Sequence, residues 1–479
     1  MPTVFPVTCP VCGCLCDDIA LVVENNLIKE VKNACAMGEA RFLGYGTHRH
    51  TKPLIRKNGE LVEASLDEAI RKSAKILAEA AYPILYGWSS TSCEAMRVGL
   101  ALAEEVGGVI DNSSTVCHGP SILSVQDVGI SSCTLGQLRH RADLFFYWGS
   151  NPWHAHPRHL ERYTLFQEGR FRKSAWMGYI SKLRALLTKK RLMRATKLVL
   201  GREASVPASV GEHLPHGLYQ QKRKMIVVDA RKTRSTEAAD YFLQVEPNKD
   251  YELLQALRML IRDEELDVDE VAGIPVEILE EVADVMINAE LGVIFFGVGL
   301  TMSEGKLRNI DAALSLVRDL NRRTKFVIMP MRGHFNVTGA NVVSTWQTGF
   351  PYAVDFSHGY PRYNPGETSV VDILCKGETD AGLVIASDPV AHFPHKAAQS
   401  LVENPLIVID PEVTPTSLMA DVVFPSAFVG IETPGTAYRM DHVPLPLKKV
   451  VEPPNTCLPD TEILRRLLHE IRELRRSPS

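Results

Sequence analysis

The chain has 479 residues, 45% of them hydrophobic and 23% charged, with a net charge of −4. That length and apolar content can fill several cores, so a multi-domain body is expected. The balanced charge gives no nucleic-acid signature, and no apolar run reaches the roughly 18 residues that span a membrane.

The N-terminus, MPTVFPVTCPVC, has no basic segment followed by an apolar one and no twin-arginine pair, so a cytoplasmic protein is expected. Five of the ten cysteines lie in the first 35 residues. In a reducing compartment such clustering points to metal rather than disulfides. Cys9, Cys12 and Cys16 follow a C-x2-C-x3-C spacing, and Cys35 comes after a hairpin-like pair, IALVVENNLIKEVKN. Three thiolates on a tight loop plus a distant fourth can surround a 4Fe–4S cluster. Zinc is the competing reading, although its usual second C-x2-C knuckle is missing. Cys14 is a fifth thiol able to replace one ligand. Gly13 and Gly38 would let backbone N–H groups approach the sulfurs.

The next informative stretch is AMRVGLALAEEVGGVID, a helix running into a short strand, followed by the loop STVCHGPS. It sets Cys117 beside His118. A buried structural cysteine is one reading; a metal ligand or a nucleophile is the other.

Two later stretches repeat one pattern. ADLFFYWGSNPWHAHPRH leads, after an interruption, to KMIVVDARKTRSTEAADYFLQV; DAGLVIASDPVAHFPHKA leads to PLIVIDPEVTPTSLMADVVFPSA. Apolar runs alternating with helical segments predict parallel strands with crossover helices, whose ligands sit beyond the strand carboxyl ends. Gly149, Ser150, Asn151, His156, Asp229 and Thr233 are candidates for one nucleotide-like ligand. Ser387, Asp388, His392, Asp410 and Thr414 are candidates for a second. Alternatively, the Asp and Thr residues simply cap helices. The glycines of FFGVGLTMSEG, Gly297 and Gly299, follow a strand where a pyrophosphate could meet backbone N–H groups. The interruption at 171–223 is basic, and Trp176, Ile180, Leu183 and Leu187 form an apolar helical stripe. It reads as a helix packed on its own domain, a docking element for a partner, or a membrane-surface element. Cys93, Cys133 and Cys375 read as core residues. The chain closes on a linker containing Cys457 and one amphipathic helix.

The four-cysteine opening, the isolated Cys loop, GSNP and the duplicated units together resemble the molybdopterin oxidoreductases. CPVCGCLCDDI, NACAMG, STVCHGPS, GSNPWHAHPRH, VVDARKTRSTEAAD, QVEPNKDYELLQALR, MRGHFNVTGAN and TAYRMDHVPLPL narrow the resemblance to the B subunits of formylmethanofuran dehydrogenases. It spans nearly the whole chain outside the interruption.

The resemblance implies a 4Fe–4S cluster on Cys9, Cys12, Cys16 and Cys35. It also implies tungsten or molybdenum held by Cys117 and two molybdopterin guanine dinucleotides, with His118 as acid/base neighbour and Arg332 as the active-site arginine. Glu432, Gly435, Thr436 and Arg439 match a stretch that faces a pterin, and Arg41 matches a basic bridge between cluster and pterin. The implied reaction reduces CO2 to formate with low-potential electrons. Implied partners are an amidohydrolase-like A subunit with a dinuclear metal site, which joins formate to methanofuran, and polyferredoxin-type electron carriers. A small subunit would complete pterin binding, because the C-terminal barrel of the wider family is not seen in the sequence. A formate dehydrogenase chain and a non-redox scaffold of a formyltransferase/hydrolase complex are the competing readings.

The expected fold is α/β, with a small iron–sulfur domain at 1–55 followed by two related parallel-sheet dinucleotide units. The first occupies 56–170 and 224–345, the second 346–450, and 451–479 forms the linker and helix.

Overall fold

The computed structural model describes residues 2–167 and 223–476. The expected basic helix with Trp176, Ile180, Leu183 and Leu187 lies outside the described residues. The fold is mixed α/β with parallel sheets, in two compact units. One comprises Met1–Ile122 with Arg332–Ser479, the other Leu123–Met331. The segments 56–170 and 224–345 each contribute to both units, so the division cuts across the sequence-based boundaries.

The first unit opens with an antiparallel sheet of Thr3–Val7, Ile19–Glu24 and Leu27–Lys32. Its hairpin turn is Asn25–Asn26, both with positive φ (50° and 60°), a conformation Asn tolerates and right-handed strand twist favours. A nine-stranded sheet follows. Its parallel centre runs Val109–Asn112, Pro83–Gly87, Ala381–Ile385, Leu406–Ile409, Val422–Phe424. Antiparallel pairs finish both edges: Val354–Asp355 with Arg362–Tyr363, and Leu54–Lys57 with Glu60–Glu63. Pro83–Gly87 and Ala381–Ile385 are buried at every position because helices cover both faces. Leu66–Glu79, Cys93–Val106 and Asp460–Arg476 supply one core; Val370–Lys376 and His395–Glu403 supply the other.

The second unit is an all-parallel sheet of five strands, in the order Tyr241–Gln244, Lys224–Asp229, Leu144–Trp148, Gly292–Phe296, Phe326–Pro330. Leu253, Leu257, Val282, Leu316 and Val317 from its helices pack on Phe146, Trp148, Ile294 and Phe296. Among the described residues no helix is long and apolar enough to cross a membrane.

Gly87 ends the strand Pro83–Gly87 at φ +128°, and a Cβ there would lie 1.9 Å from the Ile385 carbonyl oxygen. Neither the dihedral nor the space admits a side chain. Gly87→Ala is expected to cost about 3 kcal/mol, measured as a lower denaturant midpoint; an unchanged midpoint would show that the two strands can separate at no cost.

Candidate active site

The N-terminal thiols are drawn together by a short loop. Cys9 N–H donates to Cys16 O at 2.9 Å, and Leu15 N–H to Cys12 O at 3.0 Å. Cys35 precedes the helix Ala36–Gly44, whose Gly38 lies so close that a Cβ there would sit 3.2 Å from Cys9 Sγ and 3.9 Å from Cys35 Sγ. The Cys9 thiol is pushed well above its ordinary pKa, first by burial and then by Cys16, Cys12 and Cys35. These are the four thiols that the spacing selects. The Cys14 thiol and backbone both hydrogen-bond Cys12, and the thiol contact leads in holding Cys12 below its ordinary pKa. Among the described residues, no three His, Cys, Asp or Glu side chains converge on a ready site for a single metal ion.

Gly13 does not serve the sulfurs as expected. Its N–H donates to Gly333 O at 3.1 Å, its carbonyl accepts from Met440 N–H at 3.0 Å, and a Cβ would come 2.4 Å from Arg332 O. The glycine is there so that the cysteine loop can lie against the Arg332 loop.

Cys117 ends the 3-10 turn Ser113–Val116, which follows the strand Val109–Asn112. Burial pushes its thiol up to about 11, against the pull of Arg332. Arg332 is itself buried, and desolvation lowers it to about 10 while Cys117 opposes the shift. The two groups are therefore close enough to alter each other's proton affinity. His118 is fully buried, with Nδ1 3.2 Å from Ser121 Oγ. His442, at φ +63°, is held down to about 4 by burial and then by Arg332. Beneath the turn, the buried Asp111 carboxylate accepts N–H groups from Asn112, Ala353 and Val370 at 2.8–3.1 Å. Sequence motifs do not single out Asp111, Asn341 or His442, because each acts on a residue distant in the chain.

The duplicated pattern is duplicated structure. In the second unit, Asp229 Oδ1 accepts Arg231 N–H, Thr233 forms a capping box with Thr236, and Ser235 Oγ donates to Asn151 Oδ1 at 2.6 Å. In the first, Asp410 Oδ1 accepts Glu412 N–H, Thr414 forms a capping box with Ser417, and Thr416 Oγ1 donates to Asp388 Oδ1 at 2.6 Å. The capping alternative therefore describes both threonines, whose hydroxyls are engaged by their own helices.

Several other candidates are likewise committed to the protein. Gly297 N–H donates to Trp148 O and Gly299 N–H to Gly149 O, so these amides are spent on the backbone rather than left for a pyrophosphate. Gly149, at φ +54°, packs against Gly299. Glu432 grips Arg49 with both oxygens at 2.5 and 3.0 Å. Thr436 binds Glu94 through its N–H and hydroxyl, and a Cβ on Gly435 would strike Ser92. Arg439 forks onto Asp441 at 2.6 and 2.7 Å. Ser150 and His156 are buried in the second unit.

Among the described residues of the first unit, a cleft of about 250 Å³ opens beside the cysteine loop. Pro10 and Val11 of the cysteine loop line it, with Arg41, His334, Ser387, Asp388, Asp410 and Thr414. Asp410 is pushed up to about 8 by burial, with Glu412 and Asp460 adding to the shift and Arg41 opposing it. Arg41 reaches Glu412 at 2.8 Å. His392 lies at the rim of the same turn, its Nδ1–H donated to Asp388 O at 2.7 Å.

The molybdopterin oxidoreductase family model matches residues 49–190 and 208–470. The B subunit of the tungsten-containing formylmethanofuran dehydrogenase 2 of Methanocaldococcus jannaschii is 48% identical over 471 residues, covering 98% of each chain. Its Methanococcus maripaludis counterpart is 45% identical over 472 residues, covering 98% of this chain and 99% of its own. A chain in the crystal structure of the Methylorubrum extorquens formyltransferase/hydrolase complex with methylofuran shares the fold (TM-score 0.63) at 20% identity, covering 89% of this chain and 100% of its own. The chain therefore belongs to the molybdopterin oxidoreductases and, within them, to the family of formylmethanofuran dehydrogenase B subunits.

Proposed function

We propose that the chain is the redox component of a cytoplasmic formylmethanofuran dehydrogenase, converting CO2 to formate with two electrons and one proton. The observation that carries this is the coupling of Cys117 to the buried Arg332, with the N-terminal cysteine loop packed against the Arg332 loop, in a chain of this family. A tungsten or molybdenum ion held by Cys117 and two molybdopterin guanine dinucleotides, one served by each repeat, would supply the two-electron chemistry. The residues fit such a group. A thiol held protonated by burial gives up its proton when a soft cation takes that proton's place.

Arg332 would hold the formate carboxylate through its planar fork of donors. His118, its ring fixed by Ser121, would carry the proton. Cys9, Cys12, Cys16 and Cys35 would hold one 4Fe–4S cluster. Three thiols on a C-x2-C-x3-C loop with a distant fourth suit a cluster better than one zinc ion, whose usual second C-x2-C knuckle is missing. Arg41 stands in the cleft that also touches the cysteine loop, where a cation eases electron passage toward a pterin. Asp388 and Asp410 would read the N–H edge of a guanine.

Formate would then pass to an amidohydrolase-like partner with a dinuclear metal site. Polyferredoxin-type partners would deliver electrons, and a small polypeptide supplying a barrel domain would complete the pterin site.

Cys117→Ala is expected to abolish group-6 metal binding and CO2 reduction while leaving the iron content at the wild-type level, by elemental analysis of the purified complex. Full metal content and activity in this variant would defeat the proposal. Cys16→Ala or Cys35→Ala is expected to lose the cluster, whereas Cys14→Ala retains it with an altered electron paramagnetic resonance spectrum. Cluster loss in Cys14→Ala alone would make Cys14 the ligand instead.

A further inference from the structure

One helix of the first unit holds both halves of the Cys117–Arg332 pair. Val337–Thr348 begins five residues after Arg332. On its first turn, the buried Thr338 hydroxyl accepts from Arg332 Nη1 at 3.3 Å. Three residues on, and so on the same face, the buried Asn341 Oδ1 accepts from Asn112 Nδ2 at 3.0 Å and from Ser114 Oγ at 3.1 Å.

Both donors belong to the turn that ends on Cys117. Asn112 Oδ1 caps that turn by accepting Ser114 N–H at 2.9 Å, and Cys117 N–H donates to Ser114 O at 3.1 Å. Asn341 Oδ1 is thus two hydrogen bonds from the Cys117 backbone. Ser89 adds a second fastening: its carbonyl accepts Asn336 N–H at 3.0 Å, and its hydroxyl lies 2.6 Å from that of Ser113.

We propose that Asn341 is a positioning residue, which keeps the Cys117 turn in register with Arg332 by anchoring it to the helix that also anchors Arg332. The inference rests on the reading of Cys117 as a metal ligand and Arg332 as the carboxylate clamp. The anchor acts through Oδ1 alone, since Asn341 Nδ2 has no hydrogen-bond partner among the described residues. An aspartate at 341 retains that acceptor and an alanine removes it.

The test uses the purified complex. Asn341→Ala is expected to assemble with unchanged tungsten or molybdenum and iron contents. Its kcat falls about 10- to 100-fold, as expected for slight misplacement of a reacting group. The resonance of its one-electron-reduced metal shifts from that of the wild type. In pterin-free protein, iodoacetamide labels the Cys117 peptide faster in Asn341→Ala than in the wild type. Asn341→Asp restores kcat, spectrum and labelling rate toward wild-type values.

Wild-type kinetics, spectrum and labelling in Asn341→Ala would overturn the inference, as would equal damage from Ala and Asp. Should Asn341→Ala fail to assemble, Ser114→Ala removes one of the two bonds with the helix untouched and is expected to shift the same readouts less; no shift there also overturns it. Cys117→Ala, run in parallel, separates the two levels. If it keeps its group-6 metal, the reading of Cys117 has failed. If it loses the metal while Asn341→Ala behaves as wild type, only the present inference has failed.

Discussion

A thiol and a guanidinium in the first unit each lose solvation and each act on the other's proton affinity, and the loops that carry them are fastened together. Desolvation drives Cys117 toward the protonated form and weakens the proton affinity of Arg332, and each partly relieves the other. With Arg332 at about 10, the guanidinium is still charged near neutrality while the thiol keeps its proton. Thr338 gives Arg332 a hydrogen bond but no charge, and His442 beside it is held neutral well below pH 7. Such a setting favours an anion at the arginine and a soft cation at the sulfur. A carboxylate substrate and a thiolate-ligated metal meet those two demands together.

The fold keeps this arrangement by backbone contact between segments far apart in sequence. Gly13 lies between Gly333 and Met440, hydrogen-bonded to both, so the loop that gathers Cys9, Cys12 and Cys16 is also a wall of the Arg332 loop. Cys12 forms an isolated bridge with His334 on the same seam. Only a glycine permits this approach, since a Cβ at position 13 would overlap the Arg332 carbonyl oxygen. Displacing the cysteine loop would therefore displace Arg332 as well. The expected thiol set and the expected arginine thus belong to one packed body rather than to two neighbouring sites.

Features governed by local chemistry were legible in the sequence. The Asn25–Asn26 hairpin, the parallel strands and the two Asp-to-Thr repeats depend on residues a few positions apart, and so do the capping boxes offered as the alternative reading of Thr233 and Thr414. Contacts set by the tertiary fold were not legible. Nothing in GIETPGTAYRMD shows that Glu432 will meet Arg49 or Thr436 will meet Glu94, because those partners lie more than 300 residues away. Asn341 escaped notice for the same reason. Its partners Asn112 and Ser114 are 229 and 227 residues distant, and an asparagine inside a helix carries no local signal. The assignment of residues to units was also hidden, since the chain leaves the first unit after Ile122 and rejoins it at Arg332.

The repeats also show where ligand discrimination would have to reside. Their scaffolding is the same down to single hydrogen bonds: Asp240 and Asp421 each accept the N–H of the residue that opens the preceding strand region, Met225 and Leu406, at 3.0 and 2.9 Å. Residues performing identical structural tasks in both units cannot distinguish two ligands. Discrimination must come from matched positions that differ. Asn151 corresponds to Asp388, each accepting the same hydroxyl bond, and Arg231 corresponds to Glu412, each donating its N–H to the strand-end aspartate. One repeat therefore carries an amide and a cation where the other carries two acidic side chains, one of which, Glu412, is paired with Arg41. If each repeat takes a nucleotide as proposed, the two nucleotides would meet different surroundings at these positions.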